Sequence, residues 1–375
     1  MIACRFLRGK LRVRIVYVIT SLGVGGAERQ VLALADSMAA RRHTVALLVL
    51  RARLDEEWPT ALDVVRLEMR RTPWSVLRGL LHGKKFLAKF QPDLVHSHSF
   101  HANFVARMLK ILRPATVVVS TVHNIYEGGW ARMLVYRLTD GLSRKTTAVS
   151  RAAAERFVRC NAVPLEKCAV LTNAIELKDF APNFARRVNT RKEMGVADAF
   201  VWLSAGRVVP AKDFPNLLRS FGRVRADDPR AQLWIAGEAS GGVIPGTETG
   251  AVNGVRWLGL RRDMAALYDA ADGFVLSSAW EGMPLVVAEA MAMEKPVVAT
   301  DVGGVRELVG DDGVLVPARD SEALGAAMIG MMQRTAEDRT MLGSAARARV
   351  LREFSMDKRA DEWEEFYRSA VKTRP

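Results

Sequence analysis

Two cations and two carboxylates in this chain stand where parallel-sheet proteins place ligand-binding groups. Arg207 and Lys212 lie in GRVVPAKD, and Glu281 and Glu289 lie in EGMPLVVAE. A pair of cations on one loop fits a diphosphate, since arginine offers a planar fork and lysine a movable point charge. A solvated surface loop is the plainer alternative for such a pair. Its position just past an apolar run, opposite glycine turns, argues for the ligand. Glu281 stands before a helix expected to begin at about Pro284, a residue that suits the first helical position because it has no N–H to lose. The unpaired N–H groups of that first turn, with Gly282 letting the backbone come close, form a site for hydroxyl oxygens or anions. Glu289 falls inside the helix. Paired carboxylates invite the acid/base logic of a glycosidase. A carboxylate in a helix that closes a Rossmann crevice more often holds ribose hydroxyls.

The stretch continues with KPVVAT and a second glycine turn, DVGG, before VRELV. Two successive strand–glycine turn–helix units, each aiming backbone donors at one crevice, describe a nucleotide or sugar-nucleotide site. Near the start, SLGVGGAE also follows an apolar run and opens a helix, so Gly25 and Gly26 permit close approach of a phosphate or sugar. Its spacing is not the G-x-G-x-x-G dinucleotide fingerprint, and a tight turn without ligand remains the alternative for this loop. Four of the six histidines cluster at His96, His98, His101 and His123. His96 and His98 would share one face of a strand, as metal ligands can. No cysteine or carboxylate pair completes such a site, so no metal is expected. His123, ending a strand in STVHN, is the better candidate to hydrogen-bond a substrate oxygen, and His96 reads as a satisfied core histidine.

These groups need strands and helices to carry them. Short β-branched runs (RIVYVIT, TVALLVL, DLVHSHS, TVVVSTV, TTAVS, KCAVLTN) alternate with amphipathic helices through the first half. FVWLSAG, QLWIAGE, VRWLGL, FVL and KPVVAT do so in the second. Such alternation implies parallel sheets covered on both faces. The polar segment at about 174–195 reads as a linker between two domains. The two carboxyl edges should face each other across one cleft.

A chain of 375 residues is too long for one typical core, and 49% hydrophobic with 26% charged residues is ordinary for a globular protein. Three cysteines, Cys4, Cys160 and Cys168, lack metal or redox spacing and read as reduced thiols. No run reaches the length of a membrane span, and the basic then apolar N-terminus reads as a first buried strand rather than a signal peptide. A net charge of +14 calls for an acidic partner: nucleic acid, an anionic membrane surface or an acidic substrate. With no nucleic-acid motif present, nucleic acid is not expected. The charge concentrates in RFLRGKLRVR and in residues 66–90. In the latter, Trp74, Leu77, Leu80, Leu81, Leu87 and Phe90 recur at helical spacing among Arg70, Arg71, Arg78, Lys84, Lys85 and Lys89. A helix covering the sheet with a solvated basic back and one lying on anionic lipid are both open readings.

Taken in order, SLGVGGAERQV, DLVHSHSFHANFVAR, STVHN, LTNAIELKDF, SAGRVVPAKDF, LWIAGE, VRWLGLRRDM and the E-x7-E element EGMPLVVAE resemble the retaining glycosyltransferases of family 4, over nearly the whole length. The resemblance implies an α/β GT-B fold: two Rossmann-like doubly wound domains facing across a cleft, with a C-terminal helix packing back on the first. The corresponding boundaries are 1–180 for an acceptor-side domain, 181–355 for a donor domain and 356–375 for the returning helix. By the same resemblance Glu289 would hold the ribose, and Glu281 with the backbone of Gly282, Met283, Pro284 and Leu285 the donor sugar. Arg207 and Lys212 would grip the diphosphate, Gly25 and Gly26 would approach it from the first domain, and His123 would touch the sugar at the reacting face. The implied activity is a metal-independent hexosyl transfer from a nucleotide sugar, expected to be UDP-linked, to a glycan or lipid-linked acceptor. It needs no cofactor. The expected setting is cytoplasmic, peripheral on the inner membrane face, in cell-surface polysaccharide or glycoconjugate assembly. A GT-B epimerase or phosphorylase and a non-catalytic sugar-nucleotide or lipid-binding scaffold are the competing functions.

Overall fold

A computed structural model describes residues 12–23, 25–51, 61–196, 198–238 and 253–372. The basic N-terminal stretch 1–11, Val24 of the first glycine loop, and most of the Gly-rich loop, 239–252, lie outside the described residues.

The first half builds β1 (Arg14–Ile19), α1 (Gly26–Ala40), β2 (Thr44–Val49), β3 (Asp63–Arg66), α2 (Pro73–Phe90) and β4 (Leu94–His98). It continues with α3 (Phe100–Leu112), β5 (Val117–Val122), α4 (Trp130–Thr139), β6 (Lys145–Ala148), α5 (Arg151–Arg159) and β7 (Cys168–Val170). The strands form one seven-stranded parallel sheet in the order β3-β2-β1-β4-β5-β6-β7. Ile15 pairs with Val45 on one side and with Leu94 on the other, so the strand order reverses at β1. Alternate residues of β1 enter different cores. Ile15, Tyr17 and Ile19 pack towards α1, while Val16 and Val18 pack with Leu87 and Leu109 of α2 and α3. Burial on both faces explains why the run is apolar without a break.

The second half adds α6 (Phe184–Glu193), β8 (Val201–Ala205), α7 (Phe214–Asp227), β9 (Gln232–Ala236), β10 (Val255–Gly259), α8 (Met264–Ala270) and β11 (Gly273–Leu276). Then come α9 (Leu285–Ala292), β12 (Val297–Thr300), α10 (Val305–Val309), β13 (Val314–Val316), α11 (Ser321–Gln333), α12 (Ala336–Glu353) and α13 (Met356–Lys372). Its six-stranded parallel sheet runs β10-β9-β8-β11-β12-β13 and reverses at β8/β11. Helix α13 returns to the first sheet, where Ala360, Trp363, Tyr367 and Ala370 join the core that contains Tyr17. The two crossing segments are tied together. Ile175 N–H donates to Phe354 O at 2.9 Å, and Met356 N–H donates to Ile175 O at 3.1 Å.

Two basic segments carry detail beyond the sequence reading. The segment 174–195 connects the two sheets, but part of it is folded into the second: α6 packs on α8. Its arginines account for the charge: Arg186 pairs with Asp269, Arg187 with Asp272 at 2.5 Å, and Arg187 also donates to the carbonyls of Asp269 and Ala271 at 2.8 Å. Cations on the carbonyl end of a helix are favourable. In α2 the buried face is Gly79, Gly83 and Leu87, not the full apolar stripe, and Trp74, Leu77 and Leu81 are exposed. A Cβ at Gly79 would lie 2.5 Å from Met69 side-chain atoms, so the glycine face is what lets this helix settle onto its neighbours.

Candidate functional site

All eleven residues to which the family resemblance gives a role line one cavity of ≈ 450 Å³ between the two sheets, with His101 beside them and His96 and His98 outside its lining. They arrive from four carboxyl-edge turns. Gly25 and Gly26 follow β1, His123 follows β5, Arg207 and Lys212 follow β8, and the segment from Glu281 to Glu289 follows β11. Helix α9 starts at Leu285, with Pro284 as its extended N-cap, one residue later than expected. Gly26 and Leu285 bring the amino ends of α1 and α9 face to face: a Cβ on Gly26 would lie 3.8 Å from Leu285 Cδ1. The DVGG turn does not line the cavity with the first turn. It braces that turn from behind, Gly304 N–H donating to Gly282 O at 2.8 Å, and a Cβ at Gly303 would stand 2.0 Å from Glu281 O.

Lys212 Nζ lies 2.6 Å from Glu281 Oε1, which also accepts from Ser278 Oγ at 2.7 Å. Ser277 Oγ donates to Lys212 O at 2.8 Å and fixes the turn that carries the lysine. Gly206 is required beside it: its φ is +153°, and a Cβ there would come 2.8 Å from Lys212 Cε. Arg207 is exposed on the cavity wall and has no carboxylate partner among the described residues. One cation is therefore held by an acid and the other is open to a ligand anion.

Glu289 is 1% exposed and paired on both oxygens. Arg29 Nη1 reaches Oε1 at 2.6 Å from the first domain, and Tyr268 OH donates to Oε2 at 3.0 Å. Burial first, and then the Glu289 charge, push the Tyr268 hydroxyl well above its usual pKa, so it stays a donor. A second cross-cleft bond runs from Asn173 Nδ2 to Met283 O at 2.9 Å.

His123 sits at the hinge of these contacts. Its carbonyl is so close to Gly282 that a Cβ there would lie 1.9 Å from the oxygen. Its N–H donates to Glu127 Oε1 at 2.9 Å, and its Nε2 lies 2.9 Å from His98 Nδ1. Burial lowers its pKa to about 4, so the ring is neutral at pH 7. Glu127 also accepts from Tyr136 OH at 2.6 Å, and burial raises its pKa to about 7. His96 is fully buried with both nitrogens bonded, Nδ1 to Tyr367 OH at 2.7 Å and Nε2 to Thr121 Oγ1 at 2.6 Å. Among the described residues no group of three His, Cys, Asp or Glu side chains could hold a metal, and no helix is long and apolar enough to cross a membrane.

Arg29, Glu127, Asn173 and Tyr268 were not singled out from the sequence, and His98 was weighed there only as a metal ligand beside His96. Of the first four, only Arg29 left a signal: a cation in the first turn of a helix opposes the positive helix end and calls for a nearby acid. The others are recognisable only by what they touch.

A cleft between two doubly wound sheets, lined by cations, carboxylates and two opposed helix amino ends, defines a GT-B protein of the sugar-nucleotide type. The family profile described as Glycosyltransferase Family 4 matches residues 24–179, and that described as Glycosyl transferases group 1 matches residues 199–334. The D-inositol 3-phosphate glycosyltransferase of Saccharomonospora viridis is 32% identical over 78% of this chain and 74% of its own. The Escherichia coli UDP-Gal:alpha-D-GlcNAc-diphosphoundecaprenol alpha-1,3-galactosyltransferase is 26% identical over 78% of this chain and 79% of its own. Anabaena HepE, solved in complex with UDP and glucose, superposes with a TM-score of 0.83 at 21% identity, covering 96% of this chain and all of its own. The chain belongs to the retaining glycosyltransferases of family 4.

Proposed function

We propose that this enzyme transfers a sugar, with retention, from a UDP-sugar to a glycan or lipid-linked acceptor in cell-surface polysaccharide or glycoconjugate assembly. The observation that carries the reading is the convergence of Arg207, Lys212, Glu281, Glu289 and the amino ends of α1 and α9 on one cavity. The UDP moiety is supported by the galactosyltransferase relative, whose name gives a UDP-Gal donor, and by the HepE complexes. In this reading Glu289 takes the ribose hydroxyls, which requires Arg29 to release it. Glu281 and the backbone of Gly282, Met283, Pro284 and Leu285 hold the donor sugar, with His123 at its reacting face. Lys212 and Arg207 meet the diphosphate, and Gly25 and Gly26 let the first domain approach it. As the bond between anomeric carbon and phosphate oxygen breaks, the acceptor oxygen bonds to that carbon on the same face. The acceptor proton passes to the departing phosphate. Charge grows on the leaving diphosphate, where two fixed cations and helix-end N–H groups stabilise it most. The reading uses no metal or cofactor.

A panel of nucleoside diphosphates and their sugars, screened by melting temperature and by release of free nucleotide, tests this. A ligand at a hundred times its Kd stabilises the native state by about 2.7 kcal/mol, so UDP and one UDP-sugar should raise the melting temperature by several degrees. If no nucleotide shifts the transition and no sugar nucleotide is consumed, the assignment of the cavity is wrong.

The same reading places the enzyme on an anionic membrane surface. Trp74 on α2 is 74% exposed and Trp130 on α4 is 80% exposed, with Leu77, Leu81, Leu134 and Leu138 also exposed on these helices. Arg70, Arg71, Arg78, Lys84, Lys85 and Lys89 are exposed around the first group. Aromatic and aliphatic side chains among basic ones suit the headgroup boundary of acidic lipids. The protein should sediment with phosphatidylglycerol-rich vesicles at low salt and leave them at high salt. Protein that stays in the supernatant at low salt removes this part.

A further inference from the structure

We propose that His98 is a positioning residue, which holds His123 in the tautomer protonated on Nδ1 and so presents a fixed imidazole N–H donor to the cavity. The role assigned to that donor rests on the sugar-nucleotide reading above; the tautomer does not. His98 ends β4 and His123 follows β5, the neighbouring strand, so the sheet register brings the two rings together. Their contact, 2.9 Å between His98 Nδ1 and His123 Nε2, joins two imidazoles that burial keeps neutral. One must donate and the other accept.

The surroundings of His98 decide which. Its other nitrogen, Nε2, is buried without a hydrogen-bond partner. His96, whose ring centroid is 4.0 Å away, cannot serve it, because both His96 nitrogens are already bonded to Tyr367 and Thr121. The Tyr17 ring lies 5.9 Å away on centroids, and its hydroxyl is engaged with Tyr367 at 3.1 Å. If His123 donated, His98 would carry its own proton on Nε2, as an N–H buried with no acceptor. Orphaned N–H donors are the rarer defect in folded proteins, and bare acceptor lone pairs are better tolerated. The favoured arrangement puts the His98 proton on Nδ1, donated to His123 Nε2. A neutral His123 then carries its proton on Nδ1, the ring nitrogen left for the cavity His123 lines. An N–H fixed there donates to a hydroxyl or phosphate oxygen of the sugar nucleotide. The opposite tautomer would present only a lone pair, which accepts from a hydroxyl but repels a phosphate oxygen.

Nitrogen-15 NMR of histidine-labelled protein without ligand reads this directly, because a protonated and a bare ring nitrogen resonate far apart. His123, assigned by its loss in His123→Gln, should show a protonated Nδ1 and a bare Nε2. In His98→Phe, which keeps a ring and removes the donor, the His123 pattern should shift towards the other tautomer. In the same variant kcat for sugar-nucleotide turnover should fall about tenfold to a hundredfold, taken from the loss typical when the partner orienting a metal-bound imidazole is removed. UDP affinity should hold, and His98→Asn, whose amide can occupy the Nδ1 position, should recover most of the rate. A protonated Nε2 on His123 in the unaltered protein overturns the proposal, as does a pattern unchanged by His98→Phe. Should His98→Phe not fold, the unaltered protein's spectrum decides alone. If the cavity binds no sugar nucleotide, the nitrogen spectrum still reads the tautomer, so the two failures are distinguishable.

Discussion

Lys212→Ala is expected to lower kcat for sugar-nucleotide turnover by about a hundredfold to a thousandfold, the usual loss when a preorganised group facing developing charge is removed. Lys212 is held by the turn after β8, with its ammonium 2.6 Å from Glu281 and its carbonyl pinned by Ser277. It is therefore in place before any ligand arrives, and little reorganisation is needed as charge builds on the leaving phosphate. The substitution also leaves Glu281, which is only 7% exposed, with Ser278 as its remaining partner. Breaking a buried pair from one side typically costs about 3–5 kcal/mol. A lower melting temperature should thus accompany the rate loss. Lys212→Arg keeps the charge but not the point geometry, and should recover stability more than rate. Kinetics at saturating donor, alongside UDP affinity by calorimetry, separate the two effects. A kcat within threefold of the unaltered enzyme would remove Lys212 from the reaction.

The second large effect is expected from Gly282→Ala. The added carbon would lie 1.9 Å from His123 O and 3.0 Å from Asn124 Cα, and both are backbone atoms that no rotamer change can clear. Gly282 belongs to the second domain and His123 to the first, so the strain is relieved by parting the domains. Parting them stretches Arg29–Glu289 and Asn173–Met283 as well. Displacing reacting groups by about 1 Å can cost about a hundredfold in rate, and kcat/KM should fall by at least that much. Small-angle scattering should show a larger radius of gyration with each domain still folded. Gly129→Ala is the matched control, since a Cβ there meets nothing within 4 Å. Unchanged scattering and near-normal activity in Gly282→Ala would mean that the cleft does not work in this closed form.

The positions of the site residues were legible because each is tied to its own strand. In a parallel sheet buried on both faces, apolar β-branched runs mark the strands, and whatever follows a run sits at the carboxyl edge. Gly25, His123, Lys212 and Glu281 could be placed on one edge or the other by that rule alone. The roles of the basic segments were not legible. The charge of α6 reads only as that of a polar interdomain segment until Asp269 and Asp272, some eighty positions away, are seen to receive it. The apolar stripe of α2 fits a sheet-facing or a lipid-facing side equally until Gly79 and Gly83 are found beneath the helix, because periodicity does not say which face turns inward when the inward face is made of glycine.

Sequence alone thus determined the alternation of strands and helices, the two-sheet architecture, and the set of turns that carry charge and glycine. These depend on hydrophobic period and on local backbone freedom, both written in neighbouring residues. Only the tertiary structure decided who partners whom: Arg29 with Glu289, Lys212 with Glu281, His98 with His123, and the DVGG turn as a brace instead of a wall. Those pairings join positions from 22 apart (Gly304 to Gly282, 304 − 282) to 260 apart (Arg29 to Glu289). Hydrogen bonds and ion pairs act over a few ångströms, so their partners are fixed by strand order and domain closure and cannot be read from the order of residues along the chain.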